Sequence, residues 1–167
     1  MAKINFILAA LTALIPLVLG MIWYNPKVFG KAWMAGAGIT EEDAKSKMNM
    51  PLVFGLTYFY GFLISISLHF MVIHQFGFGA LLVPEMNHPL SEETMAAAKA
   101  LAEPFSTSFR TMRHGAIHGT ITGLFFVFPI IAIGGLFEFR GWKYILISAG
   151  FWIVNCALMG AVICQFA

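Results

Sequence analysis

Charge is what this sequence has least of: Asp, Glu, Lys and Arg make up 11% of its 167 residues, against 59% hydrophobic ones. None of it falls in four stretches, Phe6 to Tyr24, Leu52 to Ile73, Gly115 to Phe137 and Tyr144 to Phe166. With a mean hydropathy of +0.81, a water-soluble globule is excluded, because too little polar surface would remain to cover it. The formal charge of +2, carried by scattered basic residues, offers no patch for nucleic acid. Cysteine is scarce as well. Cys156 and Cys164 share one apolar run at a spacing too wide to bridge each other, so they say nothing about redox compartment. A membrane-embedded carboxylate is absent, the nearest acid being Glu138 at the end of a run, which weakens proton-coupled export. There is no H-E-x-x-H and no nucleophile elbow. Ser65 or Ser67 with His69 or His118 would make a hydrolytic pair, but Asp43 is expected on the opposite side, and nothing else points to an enzyme.

What is present is hydrophobic length. A helix needs roughly 20 apolar residues to cross a hydrocarbon core of roughly 30 Å, and each of the four runs suffices. Backbone amides find no water inside lipid, so the runs must be helical. The expected fold is an all-α polytopic membrane protein. It is one four-transmembrane-helix domain over residues 1–167, with short interfacial helices in its loops, and its first partner is the lipid bilayer of an inner or plasma membrane. The first run has only Lys3 as a basic region and ends in Trp23-Tyr24-Asn25-Pro26 without a small-x-small site, so it is read as a retained helix rather than a secretory signal. In the connections, Thr40 caps Glu41-Glu42-Asp43, and Ser91 opens an Ala-rich helix over 91–103 that Pro104 stops. Met95, Ala98, Leu101, Ala102 and Phe105 form an apolar stripe on that second helix, suited to a membrane surface or to the bundle's end.

Four spans put both termini and the loop from His74 to His114 on one face, with Lys3, Lys99, Arg110 and Arg113. The other face carries Lys27, Lys31, Lys45, Lys47, Arg140 and Lys143. That excess places the first and third connections in the cytoplasm and both termini outside.

The most specific string is Gly20-Met21-Ile22-Trp23-Tyr24-Asn25-Pro26-Lys27-Val28-Phe29-Gly30-Lys31-Ala32-Trp33. It resembles the G-x-x-W-Y-x-P-x-x-F-G-x-x-W signature of a bacterial family of small four-span membrane proteins known as domain of unknown function 1761. His114-Gly115, and small residues at Gly150, Gly160 and Ala161 of the last run, are similar to that family too. The resemblance implies a four-span architecture and a bacterial membrane, and transfers no catalytic residues. Phe76 to Phe109 is longer than the family leads one to expect, so any special role of this protein would sit there. Physically the signature reads as a helix exit. Trp23 and Tyr24 anchor at the interface, Pro26 stops the helix, and Phe29 and Trp33 dip back toward lipid or bundle, with Trp142 on the same face. The same aromatics would alternatively form a binding mouth.

Gly115, Gly119 and Gly123 stack two G-x-x-x-G units on one stripe of the third run, where another backbone can come close. The second run offers Thr57, Gly61, Ser65 and His69 at four-residue spacing, and the first offers Thr12, Pro16 and Gly20. Whether their partners lie within the chain or on a second subunit is open at this point. Asn155, mid-way along the fourth run, is expected to bond another helix through Thr12, Thr120, Thr122 or Ser148, or else a substrate. Pro16 and Pro129, the latter followed by Gly134-Gly135, mark breaks of the kind that expose carbonyls to a solute or that are merely tolerated.

All five histidines fall between His69 and His118. His114 and His118, one turn apart, face the same way and are able to share a metal, with His69, His74, His88, Glu85 or Glu103 as candidates for the remaining ligands. No cofactor is required by the sequence, and ordinary helix-end hydrogen bonding is the expected role of that pair; a third His or Glu converging on it would overturn the expectation. The leading functional reading is a non-enzymatic integral membrane protein that packs into a homo-oligomer or a larger assembly. A small-solute or ion transporter built on the broken helices, and a histidine-based metal-binding protein, are the alternatives.

Overall fold

The computed structural model describes residues 3–82 and 90–167, and they form a helical bundle with no strand among them. Four helical stretches are long and apolar enough to cross a membrane: Phe6–Trp23, Met50–Val72, Met112–Phe137 and Trp142–Phe166. The first is two helices. Asn5 caps α1 (Phe6–Thr12) by accepting from the Leu8 amide, and α2 (Ile15–Trp23) begins afresh because Pro16 has no N–H to give and its ring excludes the carbonyl one turn back. After the signature turn comes α3 (Gly30–Ala37), then α4 (Glu41–Lys47), closed at its start by a reciprocal Thr40–Asp43 capping box.

The second span is one uninterrupted helix, α5 (Met50–Val72), capped by Asn49. Ile73 is extended (φ −113°, ψ 101°), and α6 (His74–Ala80) restarts at a new angle. Next are α7 (Glu92–Ala102) with a 3-10 turn at Glu103–Phe105, and α8 (Met112–Thr122), capped by Thr111. The third span then widens into a π-turn at Gly123–Val127 before α9 (Phe128–Phe137), whose first turn carries Pro129. The wide turn absorbs a proline that cannot close the ordinary bond. The fourth span is α10 (Trp142–Phe166).

The spans start up to three residues before the apolar runs do. Their first turns are set by the caps at Asn49, Thr111 and Gly141 rather than by hydropathy.

α10 is the centre of the bundle, packing against both halves of the first and third spans and against α3 and α5. Ile145, Phe151, Met159 and Ile163 on it are buried, and Leu68, Val72 and Ile73 pack against its last turns. Large side chains such as Ile7, Phe125 and Phe126 point outward, the arrangement of a bundle whose solvent is lipid.

Candidate metal centre

Three imidazoles meet where α5 passes into α6 and α8 begins. The break at Ile73 turns His74 out of the line of α5, and Gln75 fixes the new direction by donating to the Phe105 and Ser108 carbonyls at 2.8 and 3.0 Å. His114 and His118 lie on one face of α8, a turn apart, pointing back over the helix start as long side chains on a helix do. Arg110 pins the chain entering α8 to the end of α10 through the carbonyls of Cys164 and Ala167. Phe109, a bulky residue at φ 63°, occupies a left-handed conformation that such side chains rarely adopt. The conformation brings its ring to 5.2 Å from that of His114 and 6.0 Å from that of His74, so the strained residue forms one wall of the cluster.

Nε2 of His74 and Nε2 of His114 are 2.9 Å apart. Ring centroids of His114 and His118 are 4.3 Å apart, and those of His74 and His118 4.8 Å. One nitrogen from each ring lies within 4.8 Å of the others. Around a tetrahedral ion with Zn–N of about 2.0–2.1 Å, neighbouring ligand nitrogens sit roughly 3.3 Å apart, so small rotations of the rings would bring all three into range. No carboxylate belongs to this group among the described residues. Three imidazole nitrogens with a side left for water or another ligand are a donor set suited to a divalent transition metal. His74 thus converges on His114 and His118 as a third imidazole, which the expectation of a helix-end pair did not include.

The sequence candidates for the third ligand fare differently. His69 is fully buried, with Nδ1 at 2.8 Å from the Ser65 carbonyl of its own helix and Nε2 without a partner, and it stands outside the cluster. His74, restarted on α6, is the candidate that the structure brings beside His114 and His118. Glu103 is also outside the group, while Glu85 and His88 lie outside the described residues.

The glycine stripe is occupied inside the chain. A Cβ on Gly115 would overlap the Gly160 carbonyl, one on Gly119 the Cys156 carbonyl, and one on Gly123 would come to 2.7 Å from the Ile153 Cα, all on α10. Gly61 faces the Ala13 carbonyl at the break between α1 and α2, 3.1 Å from where its Cβ would stand. Ser65 Oγ and Thr12 Oγ1 are hydrogen-bonded at 2.6 Å, tying the first two spans. Asn155 is a correction to its expected part. Its Nδ2 donates to Phe151 of its own helix at 2.9 Å, Oδ1 has no partner, and none of the four expected residues reaches it.

The aromatics of the signature turn toward the bundle. Trp23 Nε1 donates to the Ile147 carbonyl and Trp33 Nε1 to Ser148 Oγ, each at 3.1 Å. Phe29 packs on Trp23 and Tyr24 on Trp33, with ring centroids 4.7 and 5.1 Å apart. Past Pro26, the turn closes so tightly that a side chain on Gly30 would overlap the Tyr24 carbonyl. Trp142, 58% exposed, alone among these rings projects chiefly outward. The interfacial reading overlooked the hydrogen bonds of the two indoles to α10, since their acceptors lie more than a hundred residues away.

Four apolar helices arranged in this way define a multi-pass integral membrane protein. The chain belongs to the family described as Protein of unknown function (DUF1761), whose model matches residues 7–164. No curated protein and no solved structure matches it.

Proposed function

We propose that this is a metal-binding membrane protein in which His74, His114 and His118 hold one divalent transition-metal ion, zinc fitting the donor set best, at the terminus-bearing end of the bundle. The observation that carries the reading is the convergence of a third imidazole on the pair one turn apart on α8. Two features support it. The rings come from two separate elements that are each locked by hydrogen bonds of their own, as a preorganised site requires. A left-handed Phe109 is retained against them, at a cost of order 1–3 kcal/mol, where an ordinary loop would relax.

The glycine stripe no longer argues for a second subunit, because α10 already fills it. Transport has the breaks at Pro16 and Pro129 in its favour, yet the carbonyl of Ala13 at the first break packs on Gly61.

Cobalt(II) offers a direct test. Titrated into purified protein, it should saturate at one equivalent and give the intense visible bands of a four-coordinate nitrogen site. The His114→Ala/His118→Ala variant should bind none. Saturation at the same level in that variant would end the proposal.

A further inference from the structure

Beside the histidines, between α6, α7 and the turn that follows, lies a cavity of about 1060 Å³. We propose that it seats an anionic phospholipid of the surrounding bilayer, its acyl chains between α6 and α7 and its phosphate toward Lys99 and Arg110. The apolar stripe of α7 is the first reason. Met95, Leu101 and Ala102, with Phe105 beyond, line this cavity, while α7 makes its main contacts with its own 3-10 turn rather than with a spanning helix. Leu101 is 63% and Phe105 59% exposed, so among the described residues this amphipathic helix faces a cavity instead of a core. Leaving that surface to water is unfavourable, and at the end of a membrane bundle acyl chains are the apolar matter at hand.

Size and charge select the class of lipid. The volume stands at the top of the roughly 300–1,000 Å³ range of ligand pockets, more than a small solute fills, and Phe78 and Leu82 of the α6 side extend the greasy wall opposite α7. The charged lining consists of two cations, Lys99 and Arg110, against one acid, Glu103. Basic residues at the edge of an apolar slot favour phosphate over a zwitterionic head group. This inference does not rest on the metal reading, although His74 borders both sites.

Native mass spectrometry of the full chain, delipidated in mild detergent and offered equal amounts of phosphatidylglycerol and phosphatidylcholine with identical chains, tests it. Phosphatidylglycerol adducts should prevail about five-fold, the effect of one or so basic residues near an anionic head group, and Lys99→Gln should reduce that preference. Leu101→Glu, at an exposed position that leaves melting unchanged, should abolish the adduct. Equal adducts of the two lipids, or an adduct surviving in Leu101→Glu, would overturn the proposal. Zinc content in the same samples keeps the two readings apart, since loss of zinc alone counts only against the histidines.

Discussion

His74, His114 and His118 make unequal demands on the reader of a sequence. The last two share a helix at a spacing of four, so their common face follows from helix geometry. The first reaches them only because Ile73 interrupts α5 and Gln75 ties α6 to the Phe105 and Ser108 carbonyls, a tertiary path that no local pattern announces. The same holds for Asn155, whose polar side chain was expected to cross to another helix and instead bonds back one turn, an economy open to any helical amide. At this scale the prediction is that His74→Ala weakens zinc binding by more than the roughly 10- to 100-fold that loss of an outer-shell partner costs, while His69→Ala leaves it unchanged, as read by competition with a chelating dye. Acidification should release the metal below about pH 6, because an imidazole nitrogen holds a proton or a metal but not both.

Among the elements, α8 and α10 are the pair whose approach is decided by the smallest residues. With no hydrophobic drive between helices in lipid, backbones must come close to gain dispersion contacts, and Gly115, Gly119 and Gly160 are what let them. Gly119→Leu should therefore lower stability by about 1–3 kcal/mol, seen as an earlier melt in detergent, whereas the same change at Gly134, which has open space around it, should be nearly silent. The breaks of the first and third spans were legible as Pro16 and Pro129, although the π-turn was not, since its register depends on how α9 packs. The start of α4 was equally legible. Lys47, and then Thr40, hold the Asp43 carboxyl down at about 2, so the stabilisation it gives is complete above its ordinary value near 4 and is lost as pH falls toward 2. The protection of the Asp43 and Ala44 amides, taken relative to the intrinsic exchange rate at each pH, should fall over that interval and stay flat above it.

For the whole molecule, the span count and the all-helical class could be read from hydropathy, because lipid leaves the backbone no alternative, and capping residues announced α4 and α7 but not α3 and α6. The end of the bundle around α6 and α7 could not, since it is built from long-range hydrogen bonds that no local pattern announces. If the first and third connections face the cytoplasm, as the basic-residue count leads one to expect, the histidine cluster lies on the outer side. A cysteine at Ser46 should then be protected from an impermeant thiol reagent in intact cells while one at Ser91 reacts, with the buried Cys156 and Cys164 giving little background. The reverse labelling would place the cluster inside. The central claim is the metal site itself, and X-ray absorption at the zinc edge of the loaded, full-length protein tests it most directly. The account predicts one zinc per chain with three imidazole nitrogens at about 2.0–2.1 Å; substoichiometric zinc with an all-oxygen shell, unchanged when His74, His114 and His118 are replaced, would contradict it.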